Sequence, residues 1–583
     1  MVGVILLVSF LLRVIGITHG LPFVYEHDEL NTVMAALRYG TGNFVPPMFF
    51  HGGFTSYLLF VIFAGTYAVN HCFGVWRSGA DVIRQFAEDP TIFYVIGRMM
   101  VVFLGVLSVW TTYRAGTRLA SKAAGLIASA IVGVSVLQVN LSHLIKEDII
   151  ASAILGMTFL MVVRTLIRIE QGGGSTFFDY LVVGFGIGLA CSAKYYAAVA
   201  LVWVLLLIAA DRTLRRNSVG VVSRLAVAAG GVLVGFGVGN PYAFLHVRDF
   251  LHDFVSMRRA WEDKTSNADG LSSIRLYARY LLNSVGLPIA IAAVGGVIVG
   301  CRRAWRWRAL FIAAFVVVFM GILLTMAATP HYLTPVIPFV ALLAALFFQW
   351  LSEIATPRRW VVRCVYALGV MSLIPTLLDS VRYDLYAMAP DTRAIAKAWI
   401  ETNIPANERI AVEGAMSEEI VLGPPLEANR HTLEEELKDI QRRGGNGRLW
   451  RARLTRADTS TYRQFSLCKA RQFTESDLER CHASLGVIVT DSFDRGLLRF
   501  STDRSRFLHY LEQHSQLVTQ FDPYPGMRDF PSSWALRYDF PRLRLVGFFN
   551  NPIPLVTGPR IRVVRLHNRL TTTQDHEQIN SPR

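Results

Sequence analysis

The chain has 583 residues, of which 52% are hydrophobic and 17% charged, and its formal net charge is +15. Apolar stretches with almost no charge recur through residues 1–380, which indicates a polytopic membrane protein and excludes a single large soluble core. Most of the basic excess falls in short loops between these stretches, and no basic recognition motif accompanies it. We therefore expect no nucleic-acid partner.

The first apolar segment, Val2 to Ile17, lacks a basic start and a small-residue cleavage site, so we predict a membrane helix and not a signal peptide. The candidate membrane segments are residues 2–20, 54–75, 92–113, 123–141, 149–167, 178–193, 195–210, 221–239, 277–300, 309–327, 332–351 and 360–378.

Basic clusters between these segments predict the topology. They lie at residues 114–122, 164–168, 212–224, 302–308 and 358–363. All of them face the cytoplasm, as the positive-inside rule requires, only if segment 54–75 does not span. We therefore expect 11 spans, a cytoplasmic N-terminus, an extracytoplasmic C-terminus and a juxtamembrane helix at 54–75.

The composition divides the chain into a membrane domain, 1–379, with a first external loop at 21–91, and a C-terminal part, 380–583. Helices and strands alternate in the second part, which predicts a soluble α/β domain on the extracytoplasmic side. The expected elements are helices at 392–401, 433–442 (with a capping box at Thr432 and Glu435) and 504–514, and strands at 409–412, 485–490 and 561–566.

An acidic pair, Asp28-Glu29, follows the first apolar segment directly. Carboxylates at a membrane face are costly to desolvate and are often functional. Leu30, Val33 and Leu37 have helical spacing, and Gly40 suits a helix C-terminus. Two interpretations stay open: Asp28 only caps this helix, or it is a general base.

Further polar residues fall on the same predicted outer face, and each has a structural alternative. Lys194 ends an apolar helix. It could bind a phosphate, or its long side chain could simply extend to the membrane–water interface. Asp148 opens a helix and could cap it with Glu147. His331 and Tyr332 could form an interfacial belt, and Arg98 could anchor its span.

Metal and disulfide chemistry are less clearly indicated. His27 and His51 could line the site or hold a divalent metal with the acidic pair, but no metal-site spacing is present and no cofactor is certain. Cys468 and Cys481 lie in the part expected to face an oxidising compartment. A disulfide between them is a hypothesis.

The ordered motifs resemble a known family. They are Asp28-Glu29 with its helix and Gly40 to Pro47, Leu141 to Asp148, Gly188 to Tyr195, His331 to Pro338, and Asp391 to Ile400. Together they resemble the membrane glycosyltransferases of superfamily C, in the protein O-mannosyltransferase-like and lipid A aminoarabinose transferase-like group (glycosyltransferase family 39 type). His331 stands where relatives often have arginine.

The resemblance implies a hexosyl- or pentosyltransferase of the plasma (inner) membrane. It would move a sugar from a polyprenyl-phosphate donor to a hydroxyl of a glycan, lipid or protein acceptor on the non-cytoplasmic face, with membrane lipids around it. It implies an inverting reaction with Asp28 as base, Glu29 and Asp148 orienting the acceptor or holding a metal, and Lys194, His331, Tyr332 and Arg98 on the donor phosphate. A transporter or flippase of a lipid-linked substrate and a non-catalytic envelope-assembly scaffold are the alternatives.

Overall fold

The structure is a computed structural model that describes residues 1–49, 52–214, 217–265, 270–301, 306–325, 329–355, 358–406, 408–412, 424–426, 429–442, 447–455, 463–466, 486–491, 509–522 and 560–567. The chain folds into two compact units. The first unit comprises 1–17, 31–69 and 93–385, and the second comprises 18–30, 70–92 and 386–583.

Helices dominate the described residues. The α-helices are α1 (Val2–Val14), α2 (His27–Tyr39), α3 (Phe54–Cys72), α4 (Gly79–Glu88), α5 (Thr91–Leu119), α6 (Lys122–Val134), α7 (Val136–Ser142), α8 (Glu147–Glu170), α9 (Phe177–Ala193), α10 (Leu201–Ala210), α11 (Ser218–Gly239), α12 (Tyr242–Leu245), α13 (Val247–Thr265), α14 (Gly270–Val285), α15 (Leu287–Cys301), α16 (Arg306–Leu323), α17 (Ile337–Ile354), α18 (Arg359–Met371), α19 (Ile374–Met388), α20 (Thr392–Asn403), α21 (Arg430–Arg442) and α22 (Arg448–Leu454). Short 3₁₀ helices cover Tyr195–Ala200, Arg212–Leu214 and Pro330–Leu333.

By length and composition, six helical segments of the described residues could cross a membrane, or eight if each of two bent pairs is one span. The six are α5, α8, α11, α16, α17 and the stretch Arg359–Met388. Three shorter apolar helices, Val2–Val14, Phe177–Ala193 and Tyr195–Ala210, bring the apolar segments to eleven. The helical membrane architecture is thus as predicted in outline, and the number of spans stays a prediction.

Two of the predicted spans are not straight. The segment expected at 123–141 bends by 55° between α6 and α7, and the one expected at 277–300 bends by 106° between α14 and α15. Gly286, at φ +80°, forms the second break, in a backbone conformation that glycine adopts without a steric penalty. The hydropathy of the sequence predicted the lengths of these apolar segments correctly but gave no sign of the bends within them.

Glycines allow α9 and α11 to pack unusually closely. A Cβ added at Gly184 or Gly188 would lie 2.2 or 2.1 Å from a carbonyl oxygen of α11, and one at Gly235 would lie 2.1 Å from a carbonyl oxygen of α9. Small residues at such positions let helix backbones approach each other. This contact fixes the C-terminal end of α9, where Lys194 follows.

The second unit contains a five-stranded mixed sheet, built from β1 (Arg409–Val412), β2 (Arg463–Ser466), β3 (Val487–Asp491), β4 (Ser515–Phe521) and β5 (Ile561–Leu566). The strand order is β2-β1-β3-β5-β4. β1 pairs in parallel with β2 and β3, whereas β5 runs antiparallel to β3 and β4. Apolar residues of α20 and of the strands share one buried core, which includes Ala396, Ile400, Ile410, Val487 and Val563.

Most predicted elements of this part are present where the structure describes it, but the helix expected at 433–442 begins at Arg430. The strand at 409–412 and that at 561–566 have the expected bounds, and β3 begins two residues later than expected. The capping box at Thr432 was wrong, because the Asn429 side chain accepts a hydrogen bond from the Thr432 backbone nitrogen at 3.0 Å. Only residues 509–514 of the helix expected at 504–514 are described. Neither β2 nor β4 was predicted.

Candidate functional site

Two acidic residues open α8 inside the first unit. The chain turns after α7, and α8 starts at Glu147, so that Glu147 and Asp148 occupy its first turn, where the helix dipole favours negative charge. Both side chains are buried, with exposed fractions of 1% and 0%. The N-cap position belongs to Lys146, so the interpretation of Asp148 as a cap was wrong.

Lys194 compensates these two carboxylates. It is the C-cap of α9, in an extended conformation, and the 3₁₀ helix Tyr195–Ala200 follows. Its Nζ lies 3.4 Å from Glu147 Oε2 and 3.8 Å from Asp148 Oδ2. The lysine side chain is 16% exposed, so it is the most accessible member of the three. Charge pairing of this kind is what makes buried carboxylates tolerable.

Tyr196 completes this group. Its hydroxyl donates a hydrogen bond to Asp148 Oδ1. Asp148 Oδ2, which faces Lys194, accepts no hydrogen bond from the part of the chain that the structure describes. The ring of Tyr196 packs edge-on against that of Tyr332, with 5.9 Å between the ring centroids. The centroids of the Tyr332 and His331 rings are 4.3 Å apart. We call Glu147, Asp148, Lys194 and Tyr196 the acidic–lysine cluster.

A glycine turn just before α3 packs against the residues that hold Lys194. A Cβ at Gly52 would lie 2.0 Å from the carbonyl oxygen of Ser192, so only glycine fits there. The Tyr195 hydroxyl donates to the carbonyl of Phe49 at 2.6 Å, and the Phe49 nitrogen donates to Asp253 Oδ2 at 2.9 Å. The position of Lys194 therefore depends on the chain around residue 50.

The predicted acidic pair lies in the second unit. Asp28 and Glu29 are in the first turn of α2, which begins at His27, and both interpretations of Asp28, as a cap and as a base, stay predictions. Glu29 is fully buried and Asp28 is half-buried. His51 lies outside the described residues.

Arg98, on α5, is also buried in the first unit. Its Nη1 donates to the carbonyl oxygen of Ile17 at 2.6 Å, and the side chain is 2% exposed. Its proposed contact with a donor phosphate stays a prediction.

His143 was not predicted as important, although it lies four residues before Glu147. Its Nδ1 is 2.9 Å from the carbonyl oxygen of Val139, and its Nε2 is 2.7 Å from that of Ile15. Burial lowers the pKa of the His143 imidazole to about 4. The two hydrogen bonds to carbonyl oxygens raise this pKa, but the effect of burial is larger. His143 thereby ties the turn before α8 to the end of α1.

The predicted metal site and disulfide both stay predictions. No three His, Cys, Asp or Glu side chains of the described residues are grouped so that they could hold a metal ion. With His51 outside that range, a divalent metal beside the acidic pair stays a prediction. Cys468 and Cys481 also lie outside the described residues, and Cys72, Cys191 and Cys364 are free thiols.

Comparison with known proteins gives one family match. The family model for dolichyl-phosphate-mannose-protein mannosyltransferase matches residues 81–227, a range that contains the whole acidic–lysine cluster and Arg98 but not Asp28. No curated protein sequence matches the chain.

Several solved structures are remotely similar. ArnT from Cupriavidus metallidurans bound to undecaprenyl phosphate is 12% identical, with 98% of each chain covered and a TM-score of 0.45. The Archaeoglobus fulgidus oligosaccharyltransferase in complex with Zn and sulfate is 10% identical, with 97% of this chain and 88% of that one covered and a TM-score of 0.49. Arabinofuranosyltransferase AftD from Mycobacteria is 12% identical, with 97% and 40% covered and a TM-score of 0.42. Independently of these structures, the family model over residues 81–227 confirms the resemblance to protein O-mannosyltransferase-like membrane glycosyltransferases that was inferred from the motifs.

Proposed function

We propose that this protein is an integral membrane enzyme that transfers a sugar from a polyprenyl-phosphate donor to an acceptor hydroxyl on the non-cytoplasmic face of the plasma (inner) membrane. The observation that carries the proposal is the acidic–lysine cluster. It lies within the segment that matches a family named for a dolichyl-phosphate-linked mannose donor.

The exposure of the cluster favours phosphate binding at Lys194. The two carboxylates are 1% and 0% exposed, whereas the lysine is 16% exposed, so an approaching phosphate would meet the ammonium group first. A cation fixed by neighbouring carboxylates in a partly dry site stabilises the charge that develops on a phosphate leaving group. We assign His331, Tyr332 and Arg98 supporting roles at the same phosphate.

Asp28 is our candidate for the general base. An acceptor hydroxyl loses its proton as it attacks the anomeric carbon, and an inverting displacement needs one carboxylate for this step. The first turn of α2 suits an ionised carboxylate, because the N-terminal end of a helix carries partial positive charge. We assign buried Glu29, in the same turn, to orienting the acceptor, and we assign Asp148 the same task.

A deletion strain would test this function and identify the substrates. Its glycans and lipids are compared with those of the parent by mass spectrometry, and the strain is complemented with the wild type, Asp28→Asn or the control Asp249→Asn, whose carboxylate is 71% exposed. We expect one glycan to lose a sugar, and only Asp28→Asn to fail in restoring it. An unchanged glycan and lipid profile in the deletion strain would refute a transferase role.

A transporter of a lipid-linked substrate is the second candidate, favoured by one observation. The 106° break between α14 and α15 is the kind of discontinuous helix that lines binding sites in transporters. The deletion strain separates the two functions. A transport defect would accumulate an intact lipid-linked sugar on the cytoplasmic side, and Asp28→Asn would restore its export.

A further inference from the structure

One contact within the second unit joins the residues beside the acidic pair to the C-terminal part of the chain. The guanidinium carbon of Arg393 lies 3.2 Å from the ring centroid of Tyr25, which is cation–π stacking at close range. Arg393 is 5% exposed. The two residues are 368 positions apart in the sequence, so the contact is a tertiary one.

Arg393 is itself held rigidly. Its Nε and Nη2 donate to the two carboxylate oxygens of Asp391 at 2.8 and 2.7 Å. Asp391 is also the N-cap of α20, and its Oδ1 accepts from the Arg393 backbone nitrogen at 2.8 Å. Helix α20 is anchored in the sheet core through Ala396 and Ile400. The plane of the guanidinium group is therefore fixed by a packed helix.

The other partner, Tyr25, leads directly into the acidic turn. Glu26 and Glu29 are 7% and 0% exposed, and the Leu30 nitrogen donates to the Glu26 carbonyl at 3.3 Å, so this stretch is ordered and packed. Burial raises the pKa of Tyr25, against the opposing effect of Arg393, so the phenol stays neutral at physiological pH. Tyr25 lies three residues before Asp28 and two before the start of α2 at His27.

We propose that Arg393 is a positioning residue that holds, through Tyr25, the turn carrying Asp28 and Glu29 in its reactive position. The C-terminal part of the chain then serves the chemical step itself and not only acceptor recognition. The pairing with Asp391 neutralises the guanidinium group, which argues against Arg393 as an anion-binding residue in its own right. This inference rests on the proposed function of Asp28.

Substitutions in the full-length protein in lipid nanodiscs test the proposal, with transfer from the polyprenyl-phosphate sugar identified in the deletion strain as the readout. We expect Tyr25→Phe, which keeps the ring, to stay within about twofold of the wild type. Tyr25→Leu and Arg393→Met should lower kcat roughly 10- to 100-fold, because displacements near 1 Å at a reacting group have effects of that order. KM for the donor should change by less than about threefold, since donor contacts are left intact.

Arg393→Lys keeps the charge without the planar fork, so an intermediate kcat is expected. The double variant Tyr25→Leu/Arg393→Met should be no slower than the slower single variant, because both remove the same contact. The matched control is Arg430→Met, which removes an exposed arginine that pairs with Glu434 on α21. Losses that multiply in the double variant, or a kcat of Arg393→Met equal to that of the control, would overturn the proposal.

Hydrogen exchange separates this proposal from the general-base assignment. Backbone amides of residues 27–32 should exchange faster in Arg393→Met and Tyr25→Leu but not in Tyr25→Phe or Arg430→Met, whether or not Asp28 is the base. Unchanged exchange in all four variants would refute the positioning role. If exchange is faster in Arg393→Met and Tyr25→Leu but Asp28→Asn is fully active, Asp28 is not the general base. The Arg393–Tyr25 contact would then still position the turn.

Discussion

Removal of the Lys194 charge is the most informative perturbation of the acidic–lysine cluster. The variant Lys194→Met keeps the apolar stem but removes the ammonium group that lies 3.4 and 3.8 Å from the carboxylates of Glu147 and Asp148, which are 1% and 0% exposed. Breaking a buried ion pair from one side typically costs about 3–5 kcal/mol, because the remaining charge stays buried. We therefore expect a clear loss of thermal stability in detergent.

A double-mutant cycle with Glu147→Gln tests whether buried carboxylate charge causes this loss of stability. Adding Glu147→Gln to Lys194→Met removes one of the two buried carboxylates that lose the lysine and should restore about 1–2 kcal/mol, within the usual range of coupling energies between contacting residues. Transfer activity should fall about 10²- to 10³-fold in Lys194→Met, the usual effect of losing one group that stabilises developing charge. It should stay low in the double variant, because the phosphate-binding cation is still missing.

The assay combines differential scanning fluorimetry with donor turnover, and Lys438→Met on the exposed face of α21 is the control. A melting temperature of Lys194→Met equal to that of the control would show that the lysine does not compensate the carboxylates. A stability loss with unchanged donor turnover would refute its role at the phosphate while leaving its structural role intact.

Three further predictions address the surroundings of the cluster. Gly52→Ala should lower stability by about 1–3 kcal/mol and reduce turnover, because its Cβ would lie 2.0 Å from the Ser192 carbonyl oxygen; Gly65→Ala, with open space around it, should do neither. Tyr196→Phe removes the hydroxyl that donates to buried Asp148 and should cost about 1–3 kcal/mol, whereas Tyr366→Phe, which loses a hydrogen bond to Ser352, should cost about 1 kcal/mol; equal losses would contradict the special status of Asp148. His143 has a folded pKa of about 4, below its unfolded value, so its contribution is present above about pH 6.5 and is lost as the pH falls towards 4. Between pH 7.5 and 5 the wild type should lose about 2 kcal/mol more than His143→Gln, which thermal unfolding at the two pH values measures.

Periodicity and apolar length predicted the helices of the first unit well, because each membrane-length helix satisfies its own backbone hydrogen bonds and its sequence is apolar throughout. They missed the breaks at Ser135 and Gly286, since a bend leaves the mean hydropathy of a segment unchanged. They also missed the role of the glycines in α9 and α11. A single sequence shows that small residues recur on a helix but not which backbone approaches them.

The candidate site was predicted in part. Asp148 and Lys194 were both selected, yet their pairing joins α8 to the end of α9, and tertiary contacts of this kind leave no local pattern. Tyr196 and His143 were passed over because each resembles an ordinary core residue on an apolar background. The Asn429 cap was missed for a local reason: Thr432 and Glu435 also fit the capping-box spacing, and the competing amide lies three residues earlier.

The most direct test of the account is the turnover of polyprenyl-phosphate-linked sugars by the purified protein in proteoliposomes. The wild type and Asp249→Asn should release polyprenyl phosphate and form a product with inverted anomeric configuration. Asp28→Asn should bind the donor equally well but turn over about 10²- to 10⁴-fold more slowly, since a general base contributes that much. Equal turnover by Asp28→Asn and the wild type would contradict the account.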